Sequence, residues 1–507
     1  MKLVRGEYVL TGESVVPQGA VAINPNGTIQ AVAPFEDLRK QYPDAELLGG
    51  TDQHWIIPGF VNAHHHCNGV SNLLQGLDDD FLEPWLLHVI HSMRHQDATQ
   101  RTLYSIAKML QSGITSVVDV SATGGSRKDC TQSFQACLDA YEQAGMRVAF
   151  TAGVTFDSHF VHYQDEEFLA SLPPELRQQV KSMLVSSETT NITPDEYLDM
   201  MSDLIQKYQN HDWIDVWFGP PGPQWVGDDL LTRIAKKSRQ YNTQVQTHAM
   251  ESYSEKLIGP KFHGKTMLSH LKDLDVLSPQ FSIAHGTWVT TEDVQILKET
   301  GAAISHNPSS NLRLRAGVAP LNALLAAGVT VGLGLDGTTL GDDDDMFAEM
   351  RLAARLHRTP QFGSPAPTYD QIFAMATSGG AQLMGKAQQT GKLAPGYQAD
   401  LVLVKTGRFT RPWVAPEVNP LHLLLLRAKA MDVDTVLVGG RVVLQDGMPT
   451  LFDLDKVEKE LATQLDAQPV NMEKVDLVTA LRPYLVKWYS KWEQPKLEPY
   501  ASHNSKV

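Results

Sequence analysis

Cysteine is scarce in this chain: Cys67, Cys130 and Cys137 are the only three thiols among 507 residues. Three cysteines cannot build a disulfide framework, so a reducing, cytoplasmic home is expected. Long apolar runs are also missing. Nothing approaches the roughly 20 consecutive apolar residues that span a bilayer. The opening segment carries Lys2, Arg5 and Glu7 where a secretion signal needs an uninterrupted apolar core. Positive charge is in deficit, with a net charge of −15. A general nucleic-acid binder needs a cationic surface for phosphates, so that class is excluded. No Gly-x-Gly-x-x-Gly opens a helix after the first strand, which speaks against dinucleotide binding. There is no low-complexity tract and no short internal repeat.

What remains is an ordinary globular composition, 42% hydrophobic and 20% charged. Both ends read as short strands and turns. Runs at 15–23 and 28–32 flank the turn Asn24-Pro25-Asn26-Gly27, and similar texture returns at 400–404 and 433–444. Between them, β-rich runs alternate with helical patterns. The strand candidates are 56–62, 115–120, 147–154, 215–218, 245–247, 281–284, 302–305 and 329–335. Helical patterns at 97–111, 133–144, 228–241, 319–327 and 344–357 follow several of them. This alternation fits an α/β protein with a (β/α)8 TIM barrel better than an open sheet. The expected division is a β-sandwich part at 1–54, a barrel at 55–390, a second sandwich part at 391–450 and a helical tail at 451–507. A polar insertion at 156–195 reads as a lid or interface element. The tail aromatics Tyr484, Trp488, Tyr489 and Trp492 read as packing or oligomer contact.

The chemistry is concentrated at strand ends. An apolar strand beginning at Trp55 runs into His64-His65-His66. Side chains alternate along a strand, so His64 and His66 share one side and His65 packs on the other. The fifth strand ends at His248, the sixth at His285 and the eighth at Asp336. A single histidine after a strand is usually structural. Four histidines and an aspartate at the converging ends of a barrel are poorly explained by chance. His64, His66, His248 and Asp336 would hold one divalent metal and leave a position for water, as a catalytic site requires. Zinc comes first and iron second. Metal binding brings the pKa of that water near neutrality, yielding hydroxide. Glu251, three residues after His248, can return over the pocket as proton carrier, against the plainer reading of a helix-start glutamate.

These residues sit in motifs that resemble the amidohydrolase superfamily, in its cytosine-deaminase-like branch. That branch includes aminohydrolases of S-adenosylhomocysteine, guanine, pterins and triazines. The matching stretches are Pro58 to His66, Gly113 to Asp119, His248 to Glu251, Ala284-His285-Gly286, His306 to Leu312, Gly334 to Gly337, Ala376 to Ala381 and Gly391 to Leu401. The resemblance covers roughly residues 1–450. It implies that His64, His66, His248 and Asp336 ligate zinc or iron, that Glu251 shuttles the proton, and that His285 orients the hydroxide or polarises the substrate. It places Glu83, Trp85, His306, Asn307 and Asn311 on the substrate. Two-metal relatives use a carboxylated lysine on the fourth strand. Asp215 to Pro220 has none, which favours one metal. A homodimer is a further implication.

The chain departs from the branch at Pro220-Pro221-Gly222-Pro223-Gln224-Trp225, where Pro221 replaces a substrate-contacting histidine. Asp342 to Asp344 read as feeding a helix N-terminus, and Asp345 matches the family's aspartate. Cys67 reads as a wall residue, not a fifth ligand. Arg313 and Arg315 fall near the pocket mouth. The expected activity is therefore a metal-dependent aminohydrolase. It releases ammonia from a purine, pterin, pyrimidine or triazine by hydroxide attack on the carbon that bears the amine. The alternatives keep the metal and change the bond, displacing an alkylamine or chloride from a triazine-type ring or opening a cyclic amide. A non-catalytic scaffold would require decayed ligands, and none is decayed.

Overall fold

The computed structural model describes residues 1–50, 53–184 and 191–504. Eight parallel strands form its centre: β1 (Phe60–His65), β2 (Ile114–Ala122), β3 (Arg147–Gly153), β4 (Ile214–Phe218), β5 (Val245–Ala249), β6 (Phe281–His285), β7 (Ala303–His306) and β8 (Val331–Leu333). Each strand pairs with the next in chain order. The sheet closes on itself at one seam. There the Asp336 amide donates to the His64 carbonyl at 2.9 Å, and the Leu335 amide donates to Asn62 Oδ1 at 3.0 Å. With helices on the outside this is a (β/α)8 barrel.

The helix between β2 and β3 shows how the sequence builds this layer. Ser126 and Asp129 form a capping box at its start. Cys130, Phe134, Cys137, Leu138 and Tyr141 recur at helical spacing and are buried, making the face that packs inward. Gly145, at φ 65°, ends it in the left-handed region that glycine adopts freely.

Both chain ends meet in one sandwich. A seven-stranded sheet runs in the order Met448–Pro449, Arg441–Gln445, Val433–Val438, Leu401–Lys405, His54–Pro58, Tyr8–Leu10, Val15–Pro17. A four-stranded sheet of Ile29–Pro34, Gly19–Ile23, Lys2–Arg5 and Glu46–Leu47 packs on it. Val4, Val21 and Ile29 from the smaller sheet share a core with Ile56, Leu401 and Leu437 from the larger.

Two expected strands are each divided. The run 56–62 splits at Gly59, so His54–Pro58 belongs to the sandwich and Phe60–His65 to the barrel. A Cβ on Gly59 would lie 2.1 Å from Thr115 Oγ1, so the crossing needs a residue without a side chain. The run 15–23 splits at Gln18, whose φ is 47°, and its halves enter different sheets. Hydrophobic pattern alone does not mark either break.

The insertion and the tail form a layer of their own. Residues 185–190 of the insertion lie outside the described residues. Phe160, Phe168, Leu172 and Val180 of the insertion pack on Leu477, Val478, Leu481 and Leu485 of the tail. Leu87, from the helix Leu82–Ser92, joins them. Tyr484, Trp488 and Tyr489 lie against this cluster, and Trp492 reaches the main core. The tail aromatics therefore pack within the chain. Among the described residues, no helix is long and apolar enough to cross a membrane.

Candidate active site

The ends of β1, β5, β6 and β8 converge as a barrel requires. His64 Nε2 and His66 Nε2 each lie 3.2 Å from Asp336 Oδ1. His66 Nε2 lies 3.2 Å from His248 Nε2, and His285 Nε2 lies 3.8 Å from Asp336 Oδ2. The donor atoms of His64, His248, His285 and Asp336 all fall within 4.8 Å of one another. His285 is thus closer to the centre than a purely outlying role would need.

The opposite ring nitrogens show which atoms are free to bind. His64 Nδ1 is 2.8 Å from Gln246 Oε1, His66 Nδ1 2.6 Å from the Val120 carbonyl, and His248 Nδ1 2.6 Å from the Pro221 carbonyl. His285 Nδ1 is 2.8 Å from Asn311 Oδ1. The nearest partner of each is an acceptor, so each Nδ1 donates, and a neutral ring then keeps its Nε2 lone pair for the centre. Two of these atoms, His64 Nε2 and His285 Nε2, are buried with no hydrogen-bond partner. The His66 and His248 lone pairs face each other. Buried acceptors left unpaired are costly, and a shared cation removes the cost. The donor set of imidazole and carboxylate fits a divalent metal such as zinc.

The backbone is bent into place. The register of β1 against β2 slips between Asn62 and His65. Met250, His285 and Asp336 take φ values of 56°, 73° and 63°. Non-glycine residues rarely adopt that region, and three of them here mark a locally strained site.

Residues 55–443 match the Amidohydrolase family. The chain belongs to the amidohydrolase family. A 5-methylthioadenosine/S-adenosylhomocysteine deaminase from Desulfitobacterium hafniense is 29% identical over 89% of this chain and 95% of its own length. A protein of the same name from Teredinibacter turnerae is 30% identical over 82% of this chain and 86% of its own. Among solved structures, an adenosine deaminase from Xanthomonas campestris with bound zinc is 26% identical. It superposes with a TM-score of 0.77 over 92% of this chain and 98% of its own. Atrazine chlorohydrolase from Arthrobacter aurescens shares the fold at 21% identity and a TM-score of 0.76, over 92% of this chain and 100% of its own. This amidohydrolase is a hydrolase of carbon–nitrogen bonds other than peptide bonds.

In the amidohydrolase, Glu251 is buried, with Oε2 3.5 Å from His285 Nε2. Burial and the nearby Glu255, Asp336 and Glu83 carboxylates push its pKa well up. Burial also holds the His285 imidazole down at about 4. Burial works against ionising Asp336, but the His64, His66 and His285 rings around it outweigh burial and hold this carboxyl well below its usual range.

Several expected substrate contacts face elsewhere. Asn311 Oδ1 accepts from His285, and Asn307 Nδ2 lies 3.4 Å from the same ring nitrogen. His306 Nε2 is 3.0 Å from His357 Nε2, at the end of the helix Met346–Leu356. All three are essentially inaccessible. Asn307 and Asn311, at the start of the helix Pro308–Arg313 that follows β7, support the His285 ring from behind, whereas His306 turns to His357. Glu83 and Trp85 sit on the helix Leu82–Ser92, with Trp85 packed on Leu314. Arg313 grips Asp79 and the Thr339 carbonyl, while Arg315 covers the Phe81 ring at 4.1 Å.

The aspartate run does not serve the following helix as a group. Asp345 caps it by accepting from the Ala348 amide. Asp344 instead pairs with His65 and Lys108, and Asp342 with Ser71 and Arg313. His65 is buried on the far side of β1, 3.6 Å from Cys67 Sγ. The Cys67 thiol meets the Tyr141 hydroxyl at 3.0 Å, away from the histidine cluster.

Sequence reasoning missed Gln246, Ser310 and Glu255. Ser310 Oγ donates to Asp336 Oδ2 at 2.5 Å, and Glu255 Oε2 accepts from the Glu251 amide at 2.7 Å. Gln246 carries a usable signal: it is polar in an apolar strand, two residues before His248, and so shares its face.

Proposed function

We propose that this amidohydrolase is a metal-dependent deaminase that releases ammonia from an amino-substituted nitrogen heterocycle, with an adenosine-type purine as first choice. The observation that carries it is the convergence of the His64, His66, His248 and His285 ring nitrogens with Asp336 and Glu251. His64, His66, His248 and Asp336 would hold one metal, zinc ahead of iron. Such a metal, when bound, supplies an activated water at neutral pH.

The chain's own groups complete the reaction. Glu251 holds a proton because its surroundings oppose its charge, and it delivers that proton to the ring nitrogen beside the amine. His285, kept neutral and fixed through Asn311, accepts a hydrogen bond at Nε2 and aims the incoming water. Water adds to the ring carbon that bears the amine and returns one proton to Glu251. Glu251 passes that proton to the amine and takes up the hydroxyl proton as the carbon–nitrogen bond breaks, leaving a carbonyl and ammonia. Glu83 and Trp85 would line the substrate side. The names carried by the relatives support the purine choice. The triazine neighbours, at 21% identity, support the fold alone. A cytoplasmic homodimer is the accompanying expectation; the three free, buried cysteines fit a reducing compartment.

The test is an ammonia-release screen of metal-assayed enzyme over purines, pterins, pyrimidines and triazines. Ammonia from a purine nucleoside at one equivalent per turnover supports the reading. Chloride, alkylamine or ring-opened product without ammonia overturns it.

A further inference from the structure

The helix Met472–Tyr489 lies beyond the family match, which ends at residue 443, yet it reaches the active site. The Tyr489 hydroxyl accepts the backbone N–H of His162 at 3.2 Å, and the two rings are 5.5 Å apart. His162 belongs to the insertion, just before the helix Asp165–Ser171. Its side chain is only 4% exposed, and its Nε2 is buried without a hydrogen-bond partner, 3.7 Å from Glu83 Oε1.

Glu83 is connected onward. Its Oε1 accepts from the Ser252 hydroxyl at 2.5 Å, and Ser252 directly follows Glu251. Ser252 Oγ in turn accepts from the Glu255 amide at 3.1 Å. Glu255 accepts from the Glu251 amide on one oxygen and from Gln224 at 2.9 Å on the other. Polar contacts therefore run from the tail to both sides of Glu251. A buried carboxylate needs a cation or donors nearby. Burial raises the Glu83 pKa, but His162 and Ser252 outweigh this and hold it below the ordinary carboxylate range.

We propose that Tyr489 and His162 are positioning residues of this active site. Tyr489 holds the His162 loop, His162 holds Glu83, and Glu83 fixes through Ser252 the turn that presents Glu251. The kinetic half of this proposal rests on the deaminase reading above, and the anchoring half does not.

The experiment uses full-length, zinc-loaded enzyme with 5'-deoxyadenosine and 5-methylthioadenosine as probes. Tyr489→Phe and His162→Leu should each lose about tenfold in kcat at unchanged metal content and thermal midpoint. His162→Gln places an amide N–H near the lost Nε2 and should recover most of that loss. Hydrogen exchange supplies the second readout. In Tyr489→Phe the amide of His162 should exchange about tenfold faster, with the barrel strands unchanged. Unchanged exchange overturns the anchoring. Unchanged kcat per metal-loaded enzyme, or a midpoint that falls in step with activity, shows a packing role and overturns the positioning. No ammonia from wild type on either probe removes the deaminase reading and the kinetic half with it. The exchange result then decides the anchoring by itself.

Discussion

The floor and the roof of the active site are built by different rules. The floor consists of strand ends, where one closed sheet sets the separation of His64, His66, His248, His285 and Asp336. The roof consists of three segments distant in sequence: the helix Leu82–Ser92, the insertion and the tail. A closed sheet imposes geometry on its side chains, so its residues need only the right chemistry. The roof has no such frame, and each polar contact there depends on the packing of the others. Strain is accepted on the floor, at Met250, His285 and Asp336, because the surrounding barrel holds it.

The difference can be challenged most strongly at Glu251. Glu251→Gln should keep metal and fold while losing on the order of 10³ in kcat. Normal turnover would remove Glu251 as the proton carrier. Next comes Leu481, wholly buried between tail and insertion. Leu481→Ala should cost about 2–4 kcal/mol of stability in denaturant unfolding. Loss of the roof transition alone would show the two layers melting separately, and one shared transition would tie them together.

Gln246→Ala sharpens the comparison from the floor. Removing the acceptor for His64 Nδ1 should weaken metal retention by about 10–100-fold in a chelator competition. Tyr489→Phe, its counterpart in the roof, should leave metal retention untouched while lowering kcat about tenfold. The smallest effect belongs to the exposed pair Lys456–Glu460 on the tail helix Leu454–Asp466. Lys456→Ala should change stability by less than about 0.5 kcal/mol and activity not at all.

The floor was legible because strand periodicity and residue chemistry are both local signals. Polar residues that interrupt apolar runs declare themselves, and the eight runs fall close to the observed strands. The breaks at Gly59 and Gln18 were not legible, since an extended pattern continues across each while the sheet changes. Orientation was harder still. Asn307 and Asn311 were expected on the substrate, but the motif gives residue types and not the direction taken by the helix Pro308–Arg313. The roof left no trace of its connections. His162, Glu83 and Tyr489 meet only after three elements pack, and no spacing in the sequence relates them. The acidic run at Asp342–Asp344 reads as a helix-start signal, yet Asp342 and Asp344 answer partners brought from elsewhere in the chain.

The strand His54–Pro58 has a consequence for how this protein is made. It lies between Tyr8–Leu10, an early neighbour, and Leu401–Lys405, a very late one. On the ribosome, the apolar edge of Trp55, Ile56 and Ile57 must wait while the whole barrel is synthesised. An unpaired strand of this kind invites association with other chains. The same strand leads through Gly59 into β1 and its histidines. The first piece of the catalytic centre to emerge is thus tied to one of the last edges to close, and a nascent chain halted before residue 401 would be a natural client for chaperones.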